Sequence, residues 1–531
     1  MTLSISKRTT SRALVLMPGT GDRSASFSHR TCSGRRRPLA LPLAATIALM
    51  LLPSRGIAPA QSEIQQPTRF AERPSVRGHV DQTDIDGGKM GLPAILGAGG
   101  RLFEARFNKL DGQGRPAATG DSKPSKRESN GTPEFIRTSG PDANSCAGCH
   151  NQPRVGGSGD VAANVFALAQ FLDPVTESVS GRFSNERKTP GLMGTGAIEM
   201  LAREMTADLL RIREVATRLA VSSRAEVSMP LETKGVSFGS IAVRPDGTVD
   251  GSAIQGVDSD LVIKPFGRKG VVISLREFTI NAMNHHHGMQ AIERFGWPRT
   301  GQTDFDEDGI PVELTVGDLT ASAIFQAALP VPGRVIPTDP TERQALERGE
   351  RLFNAVGCAT CHRPTMVLND TFFSEPNPYN RPGNLRPYHV PQPFRFELTA
   401  ATPMPRLEKT GDGRAIVRAF TDLKRHRICD DHDPFFCNEK LRQDGVPTDV
   451  FLTSKLWEVG SSAPYGHRGD LTTITEAILH HGGEARGSRD GFKRLSLEDQ
   501  AAIIEFLQSM QVLPDGAPHV MTDLHLQTLR R

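Results

Sequence analysis

Two short runs could carry redox chemistry. CAGCH occupies 146–150 and CATCH occupies 358–362. In each, two thiols stand three positions apart and an imidazole follows at once. Cys-x-x-Cys-His is the attachment signature of c-type haem. The thiols form thioethers with the two vinyl groups on one porphyrin edge, and the next residue brings its imidazole under the iron. The pattern gives Cys146, Cys149, Cys358 and Cys361 to two covalently bound haem c groups, with His150 and His362 as proximal iron ligands. Zinc ribbons also use CxxC pairs, but at spacings of about 15–20 residues, whereas these pairs stand roughly 200 residues apart. A thioredoxin-like dithiol needs a βαβ frame, which neither flank provides.

Three further clusters can hold a metal or a proton. His285, His286 and His287 stand in a row in NAMNHHHGMQ, 281–290. The surrounding LREFTINAMNHHHGMQAIERF reads as one amphipathic helix with Leu275, Phe278, Ala282, Met289 and Ile292 on its apolar face. At about 100° per residue, His285 and His286 flank that face and His287 points away. His286 is the first choice as sixth ligand or distal proton carrier of the first haem. His285, Met289 and a purely structural histidine cluster stay open. Asp304, Asp306 and Asp308 alternate before Gly309, as at the start of a calcium loop. An EF-hand would place Glu at position 12, where Thr315 stands, with Glu313 two residues early. The choice is between a calcium site of another kind, including Glu313, and a solvated acidic turn. Cys429 and Cys437 bracket DDHDPFF, and in an oxidising compartment they are expected to close a disulfide.

The N-terminus points to such a compartment. Arg35–Arg37 precede the apolar LALPLAATIALMLLP and the small-residue stretch GIAPAQS, the order of a secretory signal peptide, cut near Ala60. A membrane anchor is the competing reading. Residues 1–60 hold nine Lys/Arg and one Asp in a chain of net charge +3, so the remainder is net −5. The basicity is an export feature, and no basic patch suggests nucleic acid. No later apolar run is long enough to span a bilayer.

Helices must position both haem motifs. Residues 61–90 read as an extended arm, 91–110 as a helix, and 111–145 as a loop into the first motif. Helical spacing returns over 206–220. Residues 236–265 alternate like short strands around Pro245–Asp246–Gly247. Asp339–Pro340 starts a helix that runs into CATCH. Ser496 and Asp499 resemble a capping box opening SLEDQAAIIEFLQSM, with Leu497, Ala501, Ile504 and Leu507 as its apolar stripe. The expected fold is mainly α: two cytochrome c-like domains, 91–335 and 336–515, with a strand-bearing insertion at about 227–320 in the first and a tail at 516–531.

SKLWEVGSSAPYGHRGDLTTITEAILHHGGEA at 454–485 resembles the di-haem oxidoreductase family, relatives of bacterial di-haem cytochrome c peroxidases. RLFNAVGCATCH, TPGLMGTGAIEML and LTVGDLTASAIFQAALPVPG are similar to it too. The resemblance covers roughly residues 90–510. It implies a distal Met about fourteen residues after the His of an APYxHDG-like motif. Here the motif is APYGHRGD, with His467 and with Arg468 in the Asp position, and His481 stands where the Met would be. His481 shares a helical face with Leu471, Ile474 and Ile478, so it is the first choice as sixth ligand of a bis-histidine second haem, and a histidine hydrogen-bonded in the core is the competing reading. Bis-histidine ligation lowers the potential of that haem relative to Met. The resemblance also suggests calcium between domains and Glu199 as the group that moves protons during peroxide cleavage, against an ordinary salt-bridging glutamate, and Trp457 is either an electron mediator or an ordinary packed tryptophan.

The expected protein is therefore a periplasmic di-haem c-type oxidoreductase. A low-spin C-terminal haem passes electrons to an N-terminal haem that reduces peroxide or another small oxidant, with a small redox protein as partner. The alternatives are a pure electron carrier with both haems six-coordinate and a haem-based redox sensor.

Overall fold

The computed structural model describes residues 72–113, 143–160, 162–165, 185–305, 308–440 and 442–529. The expected signal segment, the start of the arm and Asp306 lie outside them. The molecule combines helices with short strands in small sheets.

In the N-terminal half, the Leu92–Glu104 helix buries Ile95, Ala98, Leu102 and Phe103. It crosses the Val316–Ala327 helix closely enough that a Cβ on Gly99 would lie 2.2 Å from the Ala321 carbonyl oxygen. A reciprocal capping box between Thr315 and Asp318 opens that second helix. Asp318 also accepts from Val80 N at 2.9 Å and meets His79 Nδ1 at 2.7 Å, which ties the arm to the helix. The 29-residue Thr195–Ser223 helix is buried all round in its first turns and only along one stripe later. The strands Val227–Thr233, Val236–Val243 and Val249–Asp250 form an antiparallel sheet that packs back on it. Gly247, at φ +85°, makes the expected turn.

In the C-terminal half, Asp339 caps Pro340–Ala355 through the amides of Thr341 and Glu342. Gly349 lets the Leu497–Gln508 helix cross it: a Cβ there would lie 1.9 Å from the Ala502 carbonyl oxygen. Ser496 caps the latter helix by accepting from Asp499 N. Its core face differs from the expected stripe. Ala502, Ile503, Phe506 and Leu507 are buried, while Leu497 is 84% exposed. Apolar residues stand at seven positions between 497 and 507, so periodicity alone does not choose between neighbouring faces.

Strands are not confined to the expected insertion. Seven lie between Met366 and Leu452, each of two to four residues. They are too short to show a period-2 signal. The Met366–Leu368 and Phe372–Glu375 strands contribute Met366, Leu368 and Phe373 to the same hydrophobic core as Ile198, Leu201 and Leu275. The core therefore crosses the expected boundary at 335. A second core gathers Phe353, Phe420, Phe492, Ile503 and Phe506 beside the CATCH motif. Among the described residues, no helix is long and apolar enough to cross a membrane.

Candidate cofactor sites

The second motif sits where a helix is made to end. Gly357, at φ +88°, follows the Pro340–Ala355 helix, and Cys358–Thr360 make one 3-10 turn. The His362 amide donates to the Cys358 carbonyl at 3.0 Å, so both thiols and the imidazole face one wall. His362 Nδ1 lies 3.2 Å from the Phe420 carbonyl oxygen, which leaves Nε2 for a metal.

His481 stands opposite. The Ile474–Leu479 helix is opened by a Thr473–Glu476 capping box and ends at His480. It is shorter than the expected face: Leu471 precedes it and His481 follows it. His481 Nδ1 lies 2.7 Å from the Ala477 carbonyl oxygen, again leaving Nε2. The His362 and His481 ring centres are 6.4 Å apart. Two imidazoles sharing one metal at about 2 Å each hold their ring centres roughly 6 Å apart, so this pair fits a common iron. Burial lowers the pKa of both rings, that of His362 to about 4, and so favours the neutral, ligating form. A cavity of about 540 Å³ opens between them, lined by Cys358, Cys361, Phe353, Ile474, Ile478 and Leu507 among others. Size, apolar walls and donor set fit a haem attached at this motif.

A cross-linked loop holds His481 in place. Cys429 and Cys437 are disulfide-bonded, with Cα atoms 5.6 Å apart. Inside that loop Phe435 stacks on His480 at 4.0 Å, and Phe436 stands edge-on to His481 at 5.9 Å. The Gly482 amide donates to the Ile428 carbonyl. Asp430 accepts from Gly483 N and Arg486, and Asp433 from Arg489.

The first motif repeats the turn. Cys146–Gly148 is a 3-10 turn, and the His150 amide donates to the Cys146 carbonyl at 2.9 Å. Segments 114–142 and 166–184, which flank it in sequence, lie outside the described residues. Burial pushes the His150 imidazole down to about 4, and the neighbouring His286 pushes it further the same way. The Leu275–His287 helix carries the triplet but stops at Gly288, an αL cap at φ +69°. Met289 and Ile292 therefore do not continue its face. His285 and His287 are buried, and His286 is half-buried with Ala282 and Phe278 one and two turns before it. His287, expected to point away, instead places Nε2 3.3 Å from Cys146 Sγ and Nδ1 2.8 Å from the Ala143 carbonyl oxygen. Both flanks of the helix are covered, so the expected apolar stripe does not set the ring directions. Burial raises the Cys146 thiol to about 12 and Cys358 to about 11, which fits thioether anchors better than reactive dithiols.

The remaining candidates are dispersed. Glu199 is fully buried and accepts from Arg203, Asn377 Nδ2 and Leu275 N. Oε2 ties its helix to the start of Leu275–His287, and Oε1 takes Arg203 of the same helix and Asn377, so both oxygens are engaged. Asp304 accepts from Gly309 N, Asp308 from Ile310 N, and Glu313 from Gln290 N. Among the described residues these carboxylates do not gather into a metal-ligating group. Trp457 packs on Gly194, and its Nε1 is buried without a hydrogen-bond partner. His467 lies between Phe436 and Phe451, 3.4 Å from Glu439.

Sequence reasoning passed over His426, a lone histidine in RHRICD. Its Nε2 meets Asp422 at 2.8 Å and its Nδ1 meets Glu484 at 2.7 Å, beside Cys361. Asp422 lies only four residues before it, but Glu484 and Cys361 come from distant segments, and an Asp–His pair at that spacing does not by itself mark a site.

Residues 444–510 match the family described as "Di-haem oxidoreductase, putative peroxidase". No curated protein sequence matches the chain. Among solved structures, hydrazine synthase of Kuenenia stuttgartiensis is 16% identical, with 36% of this chain and 55% of that chain covered and a TM-score of 0.19. The present chain thus spans about half of it. A MauG-like protein associated with microbial copper homeostasis is 13% identical, with 60% of this chain and 88% of that chain covered and a TM-score of 0.22.

Proposed function

We propose that this chain, a member of the di-haem oxidoreductase family through its residues 444–510, is an exported c-type cytochrome that carries two covalently attached haems in two cytochrome c-like units. The observation that carries the reading is the His362–His481 pair across a haem-sized cavity beside Cys358 and Cys361. Haem supplies one-electron redox chemistry, and the protein sets its ligands, access and potential. At the second site His362 and His481 would be the residues that hold the iron, beside the apolar side chains of Phe353, Ile474, Ile478 and Leu507. That arrangement suits passing electrons rather than binding a substrate. Cys146, Cys149 and His150 would hold the first haem, which would supply the redox chemistry for reducing peroxide or another small oxidant. The donor is a small redox protein.

His286 supports a second reading, because it lies close enough to His150 to lower that ring's pKa. If it fills the sixth position, the protein is an electron carrier with two six-coordinate haems. Glu199 already has a structural occupation, and no proton transfer is assigned to it.

The mature protein, produced with haem maturation machinery, separates the readings in its EPR and optical spectra. A high-spin ferric signal that changes on adding peroxide is the result expected of the enzyme. Two low-spin haems, both inert to peroxide in either redox state, would leave the carrier.

A further inference from the structure

One wall of the second cavity is charged. Lys188, Arg268 and Lys455 all line it. They form one group: Arg268 Nη2 donates to the Lys188 carbonyl at 3.1 Å, and Lys188 Nζ to the Ser462 carbonyl at 2.5 Å. Lys455 Nζ reaches the Gly191 carbonyl at 3.4 Å. Arg268 Nε is buried with no hydrogen-bond partner. Among the described residues, the carboxylate lining this wall is Glu458, 4% exposed, whose Oε2 is also buried without a hydrogen-bond partner. Asp160, the other carboxylate that Lys188 senses, is exposed.

Two further cations nearby, Arg187 and Lys269, do not line the cavity. Arg187 forms a two-pronged bridge to Glu439. Lys269 donates to the carbonyls of Pro447, Thr448 and Val450. On the rest of the cavity wall, His426 is bracketed by Asp422 and Glu484, and Arg489 by Asp433 and Asp490. Lys188, Arg268 and Lys455 against Glu458 leave two positive charges unbalanced in a buried place. Buried charge without a partner is costly, and burial lowers the pKa of all three cations.

We propose that Lys188, Arg268 and Lys455 are the seat of the two propionate carboxylates of the haem attached at Cys358 and Cys361. This rests on the di-haem reading above. Two carboxylates match the surplus, and an arginine with a free Nε edge and two lysines are the donors that carboxylates take. Glu458 keeps the seat from holding more positive charge than two propionates neutralise. It thereby also tunes the haem.

Electrostatics fixes the signs. Positive charge beside the haem disfavours its ferric form, so Lys455→Met lowers the midpoint potential and Glu458→Gln raises it. Each shift is expected to be about tenfold in the redox equilibrium constant, or 59 mV for one electron. Lys455→Met also leaves a propionate without its counter-charge, so its protonation moves toward neutral pH and the midpoint becomes pH-dependent there. Lys455→Arg keeps the original values. A residue with only a packing role would not give shifts of opposite sign.

The test is a spectroelectrochemical titration of the holoprotein and these variants, preceded by mass analysis of the haem-bearing peptides. Absence of haem on the 358–362 peptide overturns the di-haem reading itself. Haem present there with an unchanged midpoint in both variants overturns the seat alone. Shifts confined to the haem at 146–150 also overturn it, because they assign these cations to the other haem. If Lys455→Met fails to accumulate, Arg268→Lys and Glu458→Gln decide by the same midpoints: Glu458→Gln must raise the second haem's potential and Arg268→Lys must leave it near its original value.

Discussion

His481 reaches the second cavity from just beyond a helix end, held by one bond from its Nδ1 to the Ala477 carbonyl. His481→Ala is expected to convert that haem from low-spin to high-spin in the optical spectrum. His481→Met is expected to restore a low-spin haem at a higher potential, since thioether ligation raises it. Retention of the low-spin spectrum in the alanine variant would remove His481 from the iron. At this scale the sequence was most legible where covalent chemistry dictates spacing: CxxCH can be read without any fold. It was least legible at the triplet. His287 turns to Cys146 because Ala143 and the first motif lie against the helix end, and helical phase cannot report that.

Helix ends were legible because capping is local. Asp339, Ser496 and the Thr473–Glu476 box are each satisfied within four residues. Strands between Met366 and Leu452 were not, because each is only a few residues long and, apart from the Glu408–Lys409 and Ala415–Val417 hairpin, their partners lie about twenty or more residues away. The helix crossing at Gly349 was likewise hidden, since close approach to Ala502 depends on a segment some 150 residues away. Gly349→Ala puts a methyl group into that carbonyl. A loss of about 1–3 kcal/mol in denaturant unfolding is expected, with weakened retention of His362 geometry in the haem spectrum. The cross-linked loop can be tested in the same way. Cys429→Ser with Cys437→Ser should cost about 2–3 kcal/mol from loop-closure entropy, and should broaden the low-spin signal of the second haem by loosening His480 and His481.

Across the whole molecule, residues 72–81 are fastened to the Val316–Ala327 helix by His79 and Asp318. The hydrogen bond to Asp318 raises the His79 pKa against the opposing effect of burial. The contribution is therefore complete below the ordinary histidine value of about 6.5 and is lost as pH rises through the raised value. His79 is partly solvated, so the effect is well under about 1 kcal/mol. His79→Gln should melt earlier than the parent at pH 5.5, and the gap should close in alkaline buffer. A gap independent of pH would assign the pair a packing role only. The shared core of Ile198, Leu201, Met366 and Phe373 was not legible, because apolar positions in separate halves carry no mark of their pairing. The disulfide has a consequence for the order of biosynthesis. In the exported setting proposed here, Cys429 and Cys437 must be oxidised while Cys146, Cys149, Cys358 and Cys361 are kept as thiols until haem arrives. Cells lacking a dedicated reductant for apocytochrome thiols should therefore accumulate a form that keeps the 429–437 link, bears mispaired CxxC cysteines and carries no haem.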